Sequence, residues 1–422
     1  MTKEEQKKLR KYPVKPTMLL QKSETMGIET IKILKTNEIL EQKILRGDKM
    51  EFQPYPFEKL NVLIKDIPTK EGRISLTIGE PQFQTPDFIS KALCQNVSLL
   101  NKYPKTAGEV ELGEALRGFV QRRFGVSLRE DEMVSTFGTR EVLFNFPQFY
   151  LFDKESPTMS YPNPFYQIYE GAAIASRAKV IHMNLTKENN FKPSLGVKEM
   201  QECDLVILNS PNNPTGSTLD LEELKQWVKW ALEYNFVLLN DECYSEIYTQ
   251  NKPFSILQAS IEAGNKDFKN ILALNSISKR SSAPGLRSGF IAGDKEILKG
   301  YAKYRTYVGC ASPLPLQKAA IEAWSDDSHT EYSRAQYAEN LHLAQEILGI
   351  EVPKETFYVW LFVGDDLEFT KKLLREENIL VLPGSFLSRN NGINPGSGYV
   401  RLALVYEKEV IKDALLRIKK WL

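Results

Sequence analysis

Between about residues 85 and 310, short apolar runs alternate with longer segments whose apolar positions recur every three to four residues. The first kind reads as strand and the second as amphipathic helix. Examples are a helix over 109–121, a strand over 204–209, a helix over 221–233 and a strand over 236–240. Such alternation predicts an α/β fold, a mostly parallel sheet with helices on both faces. The pattern then changes. A long helical stretch over 313–347 precedes three strand-like runs at 356–362, 379–383 and 399–404, then a closing helix over 408–422. These predict a small α+β domain, joined by N-terminal residues near 55–78. The expected division is a large domain over 85–314 and a small one made from 50–84 and 315–422. A chain of 422 residues exceeds one ordinary core, in keeping with two domains.

Residues 1–49 stand apart. They hold 12 Lys and Arg against 7 Asp and Glu, net +5, whereas 50–422 hold 43 against 47, net −4. They are expected to be an extension, a flexible tail or the product of an upstream start rather than a basic interaction arm. The whole chain carries +1, so no nucleic-acid partner is expected. No run of about 18 apolar residues suggests a membrane partner. The start lacks the apolar segment of a secretory signal, and Cys94, Cys203, Cys243 and Cys310 are widely spaced. Reduced thiols and a cytoplasmic location are the expectation. His182, His329 and His342 sit in no metal motif, which disfavours a zinc enzyme or a Ser–His hydrolase.

Chemistry concentrates where apolar runs end. Lys279 follows the run 271–275, with Arg287 eight residues on. An amine held there suits an imine bond with a carbonyl cofactor, and the arginine suits its phosphate. Asn213, in Asn-Ser-Pro-Asn-Asn-Pro-Thr-Gly after the strand at 204–208, is placed to donate to a phenolic oxygen. Asp241 and Tyr244 end the next strand. A carboxylate at Asp241 suits a pyridine nitrogen, and Tyr244 can share the phenolic oxygen with Asn213. Gly138 and Thr139 open an amphipathic helix whose free backbone N–H groups suit a phosphate. Each segment alone is an ordinary turn, cap or helix start. In this order, they fit the parts of pyridoxal phosphate.

Together the residues resemble the class I and II aminotransferases, the fold-type-I pyridoxal-phosphate enzymes, from about residue 57 to the C-terminus. The resemblance implies that Lys279 binds the cofactor and moves the substrate proton, with Asp241 on the ring nitrogen and Asn213 and Tyr244 on the phenolic oxygen. It implies a phosphate cup of Gly138, Thr139, Ser276, Ser278 and Arg287, an aromatic on the ring face at Tyr166, and Arg401 on the substrate α-carboxylate. Gly79 is expected on the substrate side. Tyr103 is expected to reach the phosphate of a neighbouring subunit, which makes the enzyme a homodimer with composite sites.

Stretches such as 162–172, 241–248, 278–294, 304–310 and 323–329 are similar to the succinyldiaminopimelate aminotransferase branch of bacterial lysine synthesis. Ser282 departs from it, standing where Asn is usual, as does Phe83, where His is frequent. Both substrates of that branch carry extra carboxylates, which need further cations. Arg140 is the first candidate, beside the phosphate cup, followed by Arg305 and Arg280. The rival readings are an aminotransferase of aspartate or another acidic amino acid, a fold-type-I lyase, and a regulator built on the same fold.

Overall fold

The apolar runs of the first half lie side by side. The structure, a computed structural model, describes residues 50–68 and 70–422; the extension expected over 1–49 lies outside them. Phe52–Leu422 forms one compact unit. A two-residue strand, β1 (Ile74–Ser75), precedes the strands of the main sheet. These are β2 (Met133–Thr136), β3 (Thr158–Asn163), β4 (Lys179–Asn184), β5 (Leu205–Asn209), β6 (Val237–Asp241), β7 (Ile271–Ser276) and β8 (Gly289–Gly293). Their order is β2-β8-β7-β6-β5-β3-β4. Only β8 runs against its neighbours, pairing antiparallel with β2 and β7.

The interior strands are buried on both faces, which is why they read as unbroken apolar runs. Val206, Leu208, Leu238, Ile271 and Ala273 point into one core, with Phe119, Trp227 and Trp324 from helices. Leu205, Ile207, Val237, Leu239, Leu272 and Leu274 point into the other, with Val142, Phe146 and Tyr301. Helices thus cover both faces, as expected.

The remaining strands are β9 (Tyr358–Phe362), β10 (Ile379–Leu380), β11 (Leu382–Pro383) and β12 (Tyr399–Ala403). They build a three-stranded sheet, β11-β12-β9, and a parallel pair, β1-β10. The run expected at 379–383 is therefore two strands, because the chain changes sheet partner at Val381. The helical stretch expected over 313–347 is also two elements, Leu314–Ser325 and His329–Leu348. Asp326 breaks it: its backbone is extended, and its carboxylate accepts from the N–H of His329 at the start of the second helix. Among the described residues no helix is long and apolar enough to cross a membrane.

Candidate active site

The parallel strands share one carboxyl-terminal edge, where open α/β sheets place ligands. β5 ends at Asn209, β6 at Asp241 beside it, and β7 at Ser276. Residues just past these ends and past β2 and β3 line a cavity of about 580 Å³, closed on another side by 55–57, 78–80 and residues of β9, β11 and β12. The cavity brings together Gly79, Thr139, Arg140, Tyr166, Asn213, Asp241, Tyr244, Ser276, Ser278, Lys279, Arg287 and Arg401. Gly138 lies just behind this lining. Its φ of 76° and the guanidinium of Arg287 pressed against its Cα leave no room for a side chain. Tyr103 is fully exposed and does not line this chain's own cavity.

Each polar group is held. Lys279 lies within the short helix Ile277–Arg280, capped by Ser276, whose hydroxyl accepts from the N–H of Ser278. Its Nζ donates to the carbonyl of Gly79. Burial lowers the Lys279 pKa to about 8; Cys243 and Glu80 oppose the shift, and Arg401 and Arg287 add to it. Asp241 is buried, which raises its pKa, against hydrogen bonds from the backbone N–H of Cys243 (3.3 Å) and the hydroxyl of Tyr169 (2.8 Å). Both donors are neutral. Asn209 braces the turn, accepting from Asn213 N and donating to the carbonyls of Pro211 and Asp241.

Arg401, buried on β12, donates to the side-chain carbonyl of Asn213 at 2.7 Å and to the backbone carbonyl of Thr77. This bond orients the Asn213 amide so that its NH₂ stays uncommitted among the described residues. The Nε of Arg401 also lacks a partner among them. Arg287 donates to the carbonyls of Pro284 (2.9 Å) and Phe137 (3.2 Å). Arg140 is exposed, its guanidinium donating to the hydroxyls of Tyr166 and Tyr55, each at 3.0 Å.

Two arginines expected as carboxylate readers are elsewhere. Arg305 is buried with all five N–H groups committed, to Glu141 and to the carbonyls of Thr106, Ser135 and Cys310. Arg280 lies over Phe119 and donates to Asp327 and to the carbonyls of Ala323 and Asp326. Both are structural: their terminal nitrogens are spent on these acceptors, although the Nε of Arg280 has no partner among the described residues. The segment 323–329 belongs to the same brace: His329 bridges Asp326 and Ser281 at 2.8 Å each. Ser281 is buried and does not line the cavity, so this Ser–His–Asp line is no hydrolase site.

Residues 71–418 match the family described as aminotransferase class I and II. The chain belongs to the class I and II aminotransferases. An LL-diaminopimelate aminotransferase of Aquifex aeolicus is 33% identical over 364 residues, 82% of this chain and 90% of that one. An aspartate aminotransferase of Pyrococcus horikoshii is 30% identical over 380 residues, 86% and 94% of the two. The crystal structure of aminotransferase AspB from Helicobacter pylori is 54% identical with a TM-score of 0.86, covering 88% of this chain and 99% of that one.

This aminotransferase is therefore a pyridoxal-phosphate enzyme acting on amino acids and 2-oxo acids, and the donor set of the cavity fits that cofactor. Asp241 is a buried carboxylate with only neutral partners, an environment that a protonated ring nitrogen would complete. Asn213 keeps an NH₂ without a partner among the described residues, and Arg287 and the start of the helix Thr139–Tyr150 offer positive charge and N–H groups.

The sequence reading had not singled out Tyr55, Tyr169 or Tyr358. Tyr169 lies in the helix Ile168–Ala175 and Tyr166 just ahead of it, their rings meeting edge to face at 5.9 Å. For Tyr55 and Tyr358 no local signal exists, since their cavity neighbours are distant in sequence.

Proposed function

We propose that the enzyme transfers the amino group of N-succinyl-LL-2,6-diaminopimelate to 2-oxoglutarate, in lysine and diaminopimelate synthesis. The observation that carries this reading is Arg140. Of the four basic residues lining the cavity, Lys279, Arg287 and Arg401 have roles in cofactor or α-carboxylate binding. The fourth is Arg140, exposed and tied among the described residues only to two phenol hydroxyls, which a carboxylate can displace. A cation at the rim, beside Tyr55, Phe57 and Ile78, suits a carboxylate on a long chain better than the short side chain of aspartate. The likeness to LL-diaminopimelate aminotransferases supports the same carbon skeleton, and the likeness to an aspartate aminotransferase marks the second reading, a shorter acidic donor.

Bound in the cavity, pyridoxal phosphate supplies a carbonyl for the amino group and a ring that stores the electron pair left at Cα. Arg401 grips the α-carboxylate. Lys279, lowered to about 8 by burial, takes the Cα proton and returns it elsewhere along the reacting system. Asp241 would hold the ring nitrogen protonated, Asn213 and Tyr244 would donate to the phenolic oxygen, and Tyr166 would supply an aromatic for the ring. Thr139, Ser276, Ser278 and Arg287 would hold the phosphate, with Gly138 giving the guanidinium its place. We assign 85–314 to a cofactor domain and 50–84 with 315–422 to a smaller one, since Gly79, Tyr358 and Arg401 meet Asn213, Asp241 and Lys279 across the cavity. A cytoplasmic homodimer, with Tyr103 reaching the partner's phosphate, belongs to the same reading; full exposure of Tyr103 outside its own cavity supports it.

Arg140→Ala is expected to raise KM for glutamate and for the succinylated donor roughly tenfold, with kcat much less affected. Steady-state kinetics on both donors, with aspartate for comparison, make the check; an unaltered KM removes Arg140, and preference for aspartate selects the second reading. The amine of Lys279 attacks a carbonyl only when deprotonated. Cofactor-free enzyme is thus expected to capture pyridoxal phosphate at a rate rising with pH through a midpoint of about 8. Stopped-flow absorbance reads this directly, and a midpoint at the ordinary lysine value of 10.5 contradicts it.

A further inference from the structure

We propose that Tyr358 is a positioning residue that couples the α-carboxylate grip to the cofactor's phenolic oxygen, its ring lying under Arg401 and its hydroxyl resting on Tyr244. The inference deepens the reading above and rests on its assignment of Arg401 and Tyr244.

The geometry follows from strand register. Tyr358 on β9 stands opposite Ala403 on β12, so Arg401, two residues back, is its diagonal neighbour on the same face. An aromatic ring spans that diagonal, and the Arg401 guanidinium carbon lies 4.4 Å from the ring centre. Such stacking holds a cation without using its N–H groups. The N–H groups of Arg401 not held by Asn213 and Thr77, its Nε among them, thus stay available for a carboxylate while its plane is fixed.

The other end of the ring meets Tyr244, the two hydroxyl oxygens 3.0 Å apart. Both side chains are buried and line the cavity. A phenol has one proton to donate and room to accept. If Tyr358 donates to Tyr244, the Tyr244 proton is left for the cavity and its O–H is polarised into a stronger donor. Tyr358 cannot easily move away. A side chain at Gly79 would collide with its hydroxyl, so the phenol is seated against the Gly79 backbone, whose carbonyl also holds Lys279. Phe357, the preceding residue, packs edge-on against Tyr244 at 5.6 Å.

A stronger donor on the phenolic oxygen weakens that oxygen's hold on the neighbouring imine proton and lowers the pH at which the proton leaves. The test is the pH midpoint of the visible absorbance of holoenzyme, read with KM. Tyr358→Phe keeps the ring and removes the hydroxyl. It is expected to move the midpoint up by about 0.5 pH unit, while KM for glutamate stays within about twofold. In a Tyr244→Phe background the same change is expected to move the midpoint no further, because the link is already cut. Tyr358→Leu, which removes the ring, is expected to raise KM for glutamate roughly five- to tenfold. An unmoved midpoint in Tyr358→Phe, an equal shift in both backgrounds, or an unchanged KM in Tyr358→Leu overturns the proposal. If Tyr244→Phe alone leaves the midpoint unmoved, the assignment of Tyr244 fails, and the coupling fails with it.

Discussion

Lys279→Ala is expected to lower kcat by at least about 10⁴-fold, because in the proposed function one amine would supply both the covalent anchor and the proton transfer at Cα. No other described side chain lining the cavity carries an amine that could form the anchor. The Asp241 carboxylate is committed to Tyr169 and the N–H of Cys243, and burial drives the hydroxyl of Tyr244 and the thiol of Cys243 well above their usual pKa values. The guanidinium groups of Arg287 and Arg401 offer only N–H donors and no acceptor for a proton. The fold should tolerate the change. A buried ammonium is costly to hold, which is why the Lys279 pKa falls to about 8, and removing it leaves only the Gly79 carbonyl without its donor. The variant is expected to melt within a few degrees of the parent and to bind the cofactor without the visible imine band. A variant that keeps more than about one per cent of the parent turnover would place the chemistry elsewhere.

The second large effect is expected at Asp241→Asn, a loss of roughly 10³-fold in kcat with KM for the amino donor little changed. The side chains are alike in shape, and asparagine can keep an acceptor for Tyr169 and Cys243. What disappears is the negative charge. Burial and low dielectric make that charge strong toward a cation and give it no competing partner among the described residues. Without it a pyridine nitrogen bound there would not be held protonated, and the ring would hold electrons less well. A loss below tenfold, measured with saturating cofactor, would contradict this role.

How far the sequence reached depends on where each signal lies. The strand cores were readable because β5, β6 and β7 are buried on both faces and their apolar runs admit few other readings. Asn213, Asp241 and Lys279 were readable because each comes just after such a run, and strand ends in a parallel sheet converge. Arg280 and Arg305 could not be placed that way. Their acceptors, such as the carbonyls of Ala323 and Ser135, are backbone atoms of other segments, which residue types do not announce. Tyr358 escaped for a related reason, since alternation along β9 does not say which face meets a cavity. Ser282 shows a local cost. Its φ of 47° lies in the left-handed region, where asparagine is more at ease than serine. The structure thus gives a backbone reason for asparagine being usual there, unrelated to substrate choice.

In the proposed function this cavity carries a reversible amino transfer between an acidic amino acid and a 2-oxo acid. The most direct measurement is a single-turnover absorbance scan of holoenzyme mixed with glutamate or with N-succinyl-LL-2,6-diaminopimelate, with no second substrate present. The account predicts that each donor abolishes the visible band with one 2-oxo acid released per Lys279. The succinylated donor should act at the lower concentration, and added 2-oxoglutarate should restore the band. Loss of the band that no 2-oxo acid restores, or catalytic release of product without a second substrate, would contradict it.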